Sequence, residues 1–234
     1  VKGIEVYGAT ETTTPVWRSL HEPLRRGSCG KPSNEFYEVT IVDPESREEL
    51  ALGDAGEIVV RPRLPWILMQ GYLGMPQETV EAWDNYRFNT GDAGRFDEDG
   101  YLYFVDRMKD RIRRRAENIS SYEIESAACA FPPVREAAAV GVPSGYQSDD
   151  DIKLCVVAEQ ALDVKALLAH LAARLPHYMV PRYIDILPAL PRSATNKVRK
   201  QVLREQNITS ATWDRHAAGI SLRDLMADIE SRNV

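Results

Sequence analysis

The residues best suited to chemistry come early in the chain. Tyr7-Gly8-Ala9-Thr10-Glu11-Thr12-Thr13-Thr14 follows a short apolar run. The hydroxyls of Thr10 and its neighbours, with backbone N–H groups freed by Gly8, could line a phosphate. Glu11 supplies the hard carboxylate oxygen that Mg²⁺ takes together with phosphate. The plain alternative is an ordinary capped turn, because short motifs match by chance often. A second carboxylate, Asp92, ends Asn89-Thr90-Gly91-Asp92, read as a tight loop before a hairpin. There it could accept two hydrogen bonds from a ribose diol, or simply form the turn.

Two cationic runs follow. Residues 106–115, DRMKDRIRRR, set six basic side chains against two carboxylates. As a single strand the run would put Arg107, Lys109, Arg111, Arg113 and Arg115 on one face. That face would be either an anion-binding edge or a charged edge strand that resists aggregation. Residues 191–200, PRSATNKVRK, carry Arg192, Lys197, Arg199 and Lys200 and no acid. Small polar residues before Lys197 read as a mobile loop, able to deliver an ammonium to charge developing on a phosphoryl group. The competing reading is the solvated start of a basic helix.

These groups need a frame. The chain has 234 residues, enough for one large domain or two small ones, and 44% apolar with 27% charged residues is an ordinary globular balance. A net charge of −6 argues against a general nucleic-acid binder. No apolar run is long enough to span a membrane, and no secretory leader is visible. A cytoplasmic location fits the cysteines: Cys29, Cys129 and Cys155 have neither metal-ligand spacing nor a disulfide framework. The chain opens on Val1, which reads as a piece of something longer.

The first half reads as antiparallel sheet: strands over 36–43 and 56–62, a short helix after the Gly/Pro loop at 70–79, and a hairpin turned at Asp97–Gly100. The second half reads as α+β. Ser120 and Glu123 form a capping box at a helix start, with Ile124, Ala127, Ala128 and Phe131 on one face. Val164, Leu167, Leu168, Leu171 and Leu175 give a second helical stripe. Strands are expected at AAAVGVP, KLCVVAEQ and RYIDIL, a helix over KVRKQVLREQ, and a further one from about Leu222. The boundary falls near 107–109, giving domains 1–107 and 108–234.

Taken in order, YGATE, GEIVVRP with GYLG, NTGD, YFVDRMKDRIRRRAENIS with EIE, and PRSATNKVRK resemble the signature motifs of the adenylate-forming (AMP-binding) superfamily. The likeness runs over nearly the whole chain. RRRAENISSYEIE and TWDRHAAGISL are most similar to the acyl-CoA synthetase branch, near the crotonobetaine/carnitine–CoA ligases. The resemblance implies the antiparallel β-rich end of a large N-terminal domain, followed by a small mobile α+β lid domain. It implies a ligase that makes an acyl-adenylate from a carboxylic acid and ATP with Mg²⁺, then passes the acyl group to coenzyme A. It assigns adenine to Tyr7, counts Gly8 among the nucleotide-binding residues, and assigns the α-phosphate to Thr10, Mg²⁺ to Glu11, and the ribose to Asp92 and Arg107. Lys109 becomes the hinge, Ala116 lies along the CoA tunnel, and Lys197 bridges the attacking carboxylate and the α-phosphate. Rotation about the hinge would present the Lys197 loop for the first half-reaction and the 113–119 turn for the second.

Three departures stand beside the resemblance. The family's Gly/Ser/Thr-rich phosphate loop and much of its acyl pocket would precede Val1, so the isolated chain should not adenylate well. Ala116 replaces a usual Gly and puts the thioester step in question. Asn196 replaces the usual Gly before Lys197, a mild change because Asn tolerates left-handed backbone. Two other readings stay open: an amino-acid adenylation domain loading a carrier protein, and a non-catalytic nucleotide-binding fragment. The acid is not legible, and oligomeric state is open, a homodimer among the options.

Overall fold

The structure is a computed structural model describing residues 3–114, 117–145, 149–223 and 225. The chain divides into two compact units, Val1–Lys109 and Asp110–Val234.

The first unit is built from antiparallel strands. β1 (Val6–Ala9) pairs with β2 (Thr13–Trp17), which also pairs with β3 (Lys31–Pro32). β4 (Tyr37–Val42) pairs with β5 (Gly56–Pro62). Helix α1 (Pro76–Glu81) precedes β6 (Trp83–Asp84), β7 (Arg87–Phe96) and β8 (Leu102–Arg107). β7 lies between β5 and β8 and also takes β6. Strands β4 and β5 face Val39, Ile41, Ile58 and Val60 into a core shared with Tyr7, Val16 and Leu102. The β7–β8 turn is the one the sequence predicts: Asp97 accepts the N–H groups of Asp99 and Tyr101, and Gly100 sits at φ +78°.

Asn89-Thr90-Gly91-Asp92 corrects its reading as a loop, for it lies inside ten-residue β7. Gly91 takes φ +67°, and the pairing register shifts nearby on both flanking strands. A bulge at glycine imitates loop chemistry without ending the strand. The 106–115 run is likewise not one strand. β8 ends at Arg107, a 3₁₀ turn takes Met108–Asp110, and β9 (Ile112–Arg114) restarts with Ile112 and Arg114 buried. Alternating charge therefore does not make one cationic face.

In the second unit β9 pairs with β10 (Glu117–Ile119) and leads into α2 (Ser121–Cys129). Ser120 Oγ accepts the Glu123 N–H at 3.3 Å, half of the expected capping box. β11 (Val134–Pro143) and β12 (Asp150–Ala158) pair antiparallel along their length. Helix α3 (Val164–Ala172) is capped by Asp163. β13 (Tyr183–Ile186) runs parallel to β12 and takes β14 (Trp213–Asp214) on its other edge. Helix α4 (Lys200–Glu205) starts three residues later than predicted, because Val198 bridges back to Arg192.

β12 is central and alternates between two apolar layers. Ile152, Leu154 and Val156 pack with Ile124, Leu167, Leu168 and Leu171 of α2 and α3. Cys155 and Val157 face the layer that holds Leu203 of α4. No helix among the described residues is long and apolar enough to cross a membrane. Ala116, and most of the helix expected from Leu222, lie outside the described residues.

Candidate active site

In the first unit the Thr-rich stretch is a β-hairpin rather than a strand followed by a loose loop. Tyr7-Gly8-Ala9 belongs to β1, Thr10–Thr12 make the turn, and Thr13 and Thr14 open β2. The turn is unusually tight. A Cβ on Gly8 would stand 1.9 Å from the Thr13 carbonyl oxygen, so only glycine fits. Thr13 takes φ +56°, and its hydroxyl meets the Tyr37 hydroxyl at 2.6 Å. Thr12 is fully buried and its Oγ1 accepts the Ala9 N–H at 3.2 Å. Thr12 and Thr13 therefore hold the turn, while Thr10 stands exposed at its tip.

The hairpin brings two expected site residues together across the sheet. The Tyr7 hydroxyl donates to Asp92 Oδ2 at 2.9 Å. Tyr7 is only 8% exposed and stacks against Phe104. Burial, reinforced by the Asp92 charge, pushes the Tyr7 phenol up and keeps it a donor. Burial also raises the Asp92 carboxyl; the Tyr7 bond and the Arg107 charge oppose that rise. Arg107 sits opposite Asp92 in the β7–β8 register and is exposed.

Asp92 is aimed by its own strand. Thr90 Oγ1 donates to the Ile58 carbonyl at 2.6 Å and accepts the Asp92 N–H at 3.1 Å. The Gly91 N–H donates to Glu57 Oε1 at 3.1 Å, and Arg47 pairs with the other Glu57 oxygen. Sequence reasoning misses Glu57 and Arg47; partners of a bulge that are distant in the chain leave no spacing signal. It also misses Tyr72, whose hydroxyl donates to Glu11 Oε1 at 3.2 Å. The Glu11 carbonyl accepts the Met69 N–H at 2.9 Å, so the 69–72 segment braces the turn that carries Thr10. Glu11 is close enough to Asp92 for its charge to raise that carboxyl further.

The remaining expected residues belong elsewhere. Lys109 is the last residue of the first unit and is exposed. Lys197, in the second unit, stands on an ordered turn instead of a slack loop. Ser193 donates its N–H to the Lys197 carbonyl at 2.9 Å, and its Oγ accepts the Lys197 N–H at 3.2 Å. Asn196 occupies φ +63°, the left-handed conformation expected of it. The Lys197 side chain is exposed. Among the described residues no group of three His, Cys, Asp or Glu could hold a metal on protein ligands alone.

The chain is similar to known proteins over most of its length. Residues 1–73 match the AMP-binding enzyme family, and residues 123–197 match the AMP-binding enzyme C-terminal domain. The chain is 36% identical over 212 residues to the long-chain-fatty-acid–CoA ligase FadD13 of Mycobacterium tuberculosis, covering 88% of this chain and 41% of that protein. It is 34% identical to a feruloyl-CoA synthase of Amycolatopsis, covering 87% and 41%. Among solved structures, o-succinylbenzoate CoA synthetase from Bacillus subtilis with its acyl-adenylate gives a TM-score of 0.77 at 29% identity, covering 87% of this chain and 40% of that one. The ATP-bound MatB of Rhodopseudomonas palustris gives 0.76 at 31%, with the same coverage. The chain thus spans about two fifths of the length of the relatives it matches. With both family matches in chain order, and CoA ligases and synthetases among its relatives in sequence and in structure, the chain belongs to the adenylate-forming AMP-binding enzyme family.

Proposed function

We propose that this chain is the C-terminal part of an ATP-dependent carboxylic acid–CoA ligase. The observation that carries the reading is the Tyr7–Asp92 bond beside Arg107, next to the turn that carries Thr10 and Glu11. Residues from opposite ends of the first unit meet there as a carboxylate, a guanidinium and an exposed hydroxyl, while Tyr7, packed in the core, orients the carboxylate instead of offering its ring to adenine. That set suits ribose hydroxyls and phosphate. The names of the relatives, acid–CoA ligases acting on chemically different acids, support the same reaction class.

In this reading Asp92 accepts the ribose hydroxyls, with Arg107 alongside, and Thr10 donates to the α-phosphate. Glu11 fits Mg²⁺: its Oε1 takes only one neutral hydroxyl, from Tyr72, and a carboxylate beside a phosphate is the kind of oxygen donor that would hold the ion. When bound, Mg²⁺ offsets phosphate charge. Lys197 supplies the cation where the acid's carboxylate meets the α-phosphate, two anions whose approach otherwise builds repulsion. Rotation about Lys109 would bring Lys197 to the first half-reaction and the 113–119 segment to the second. The rest of the nucleotide site and the acyl pocket would come from an N-terminal portion of the same protein. Ala116, on the CoA tunnel in this reading, would slow thioester formation.

An amide bond synthetase, McbA from Marinactinospora thermotolerans, is also similar, at TM-score 0.74 and 31% identity, so the acyl acceptor needs its own test. The full-length protein, given ATP and a panel of acids, should release pyrophosphate and pass the acyl group to CoA. Transfer to a carrier protein or an amine with none to CoA would replace the acceptor. No acid-dependent pyrophosphate release would refute the ligase reading.

A further inference from the structure

Lys200 is placed against its own helix. It is the first residue of α4, where the helix dipole disfavours a cation, and the first turn holds no acid. Something outside the helix must keep it there. Its Nζ donates to Ser121 Oγ at 2.6 Å and pairs with Glu125 Oε1 at 2.7 Å, both on α2. The side chains of Lys200 and Glu125 are 14% and 17% exposed, so the pair is mostly withdrawn from water. The same Glu125 oxygen accepts the Ala139 N–H of β11 at 2.8 Å. One carboxylate thus joins α2, β11 and α4.

The position of α4 decides where Lys197 points. α4 has six residues, too few to hold a helix or a direction unaided. The 193–197 turn fixes its own shape through Ser193, Asn196 and Arg192, and Arg192 anchors its outer side to Glu136 of β11. Leu203 anchors the middle of α4 in the core. At the far end the buried Lys153 ammonium donates to the Asn207 carbonyl at 2.5 Å and pairs with Asp185 at 2.9 Å. The near end, three residues from Lys197, is held by Lys200. Helix α2, to which it is held, begins directly after β10, the strand paired with β9.

We infer that Lys200, through Glu125 and Ser121, is a positioning residue that locks the Lys197 turn to the helix that follows the paired strands β9 and β10. The Lys197 turn and the β9–β10 pair are then held to one helix and move together. The catalytic clause rests on the proposed role of Lys197; the tether does not.

The test uses the full-length protein and its Lys200→Met, Lys200→Arg and Glu125→Gln variants. Amide hydrogen exchange is read on peptides covering 191–199 and, as a folding control, on β12. Both half-reactions are timed separately. Lys200→Met and Glu125→Gln should exchange about fivefold faster at 191–199 with β12 unchanged. Their adenylation kcat should fall about tenfold with the KM for ATP within about twofold, since small misplacements cost up to about 10²-fold. Lys200→Arg should recover most of both losses. Unchanged exchange at 191–199, equal loss of protection in β12, or an Arg variant as impaired as Met would each overturn the inference. If wild type does not adenylate, the ligase reading falls, and the exchange result alone still decides the tether.

Discussion

Tyr7 and Asp92, 85 positions apart in the chain, share a 2.9 Å hydrogen bond in which the phenol donates to the carboxylate. The bond ties the Thr-rich hairpin to the bulged strand β7 and fixes the direction of both candidate ligands. Tyr7→Phe removes the donor and leaves a largely buried carboxylate short of a partner. We expect a loss of about 1–2 kcal/mol in urea unfolding, the usual range for a bond to a charged group, and a raised KM for ATP in the full-length protein. A variant as stable as wild type would show that the bond carries little.

Asp92 should cost stability at neutral pH. Burial raises its pKa in the folded state, and this outweighs the Tyr7 bond and the Arg107 charge. A raised folded value means that the native state holds the proton more tightly than the unfolded chain. Its stabilising contribution is complete below the unfolded value, about 3.9, and is lost as pH rises through the folded one. Asp92→Asn should therefore be more stable than wild type at pH 7, with the gap closing below about pH 4, while nucleotide affinity falls. Urea midpoints at the two pH values check this. An Asn variant less stable at pH 7 would reverse the sign.

Gly8 has no tolerated substitute. An alanine methyl there would stand 1.9 Å from the Thr13 carbonyl oxygen, so the two strands must part to admit it. Overpacking against backbone should cost about 3 kcal/mol or more. Thermal unfolding of Gly8→Ala measures it, and a wild-type melting temperature would mean that the hairpin can open freely.

How much of this is legible in the sequence depends on how local each cause is. Strands β4 and β5, the Asp97–Gly100 turn, the Ser120 cap and the α3 stripe follow from periodicity and turn chemistry within a few residues. Asn89–Asp92 reads wrongly as a loop because Gly91 signals a turn equally well in a loop or a bulge, and its distant partner Glu57 decides which. The 106–115 run reads wrongly as one strand because alternating charges say nothing of the 3₁₀ turn that interrupts them. Two-residue β14 and the parallel β12–β13 pairing have no local signature at all. Of the site, motif order names the candidate ligand-facing residues, whereas their supports, Tyr72, Thr90, Glu57 and Arg47, emerge only with the fold.

The buried Lys153–Asp185 pair should behave as a unit. Lys153 is fully buried, so Lys153→Met strands the Asp185 charge and should cost about 3–5 kcal/mol. Lys153→Met with Asp185→Leu should recover much of that loss, because no buried charge remains. A double-mutant cycle of unfolding free energies reads the coupling; additive losses would show that the two side chains act independently.

Lys197 is the residue on which adenylation in the proposed acid–CoA ligase depends most directly. In the full-length protein, Lys197→Ala should lower the rate of acyl-adenylate formation from acid and ATP by about 10²–10³-fold, the cost of losing one preorganised donor. Thioester formation from preformed acyl-adenylate and CoA should stay near the wild-type rate. Equal loss of both half-reactions, or loss of neither, would contradict the account.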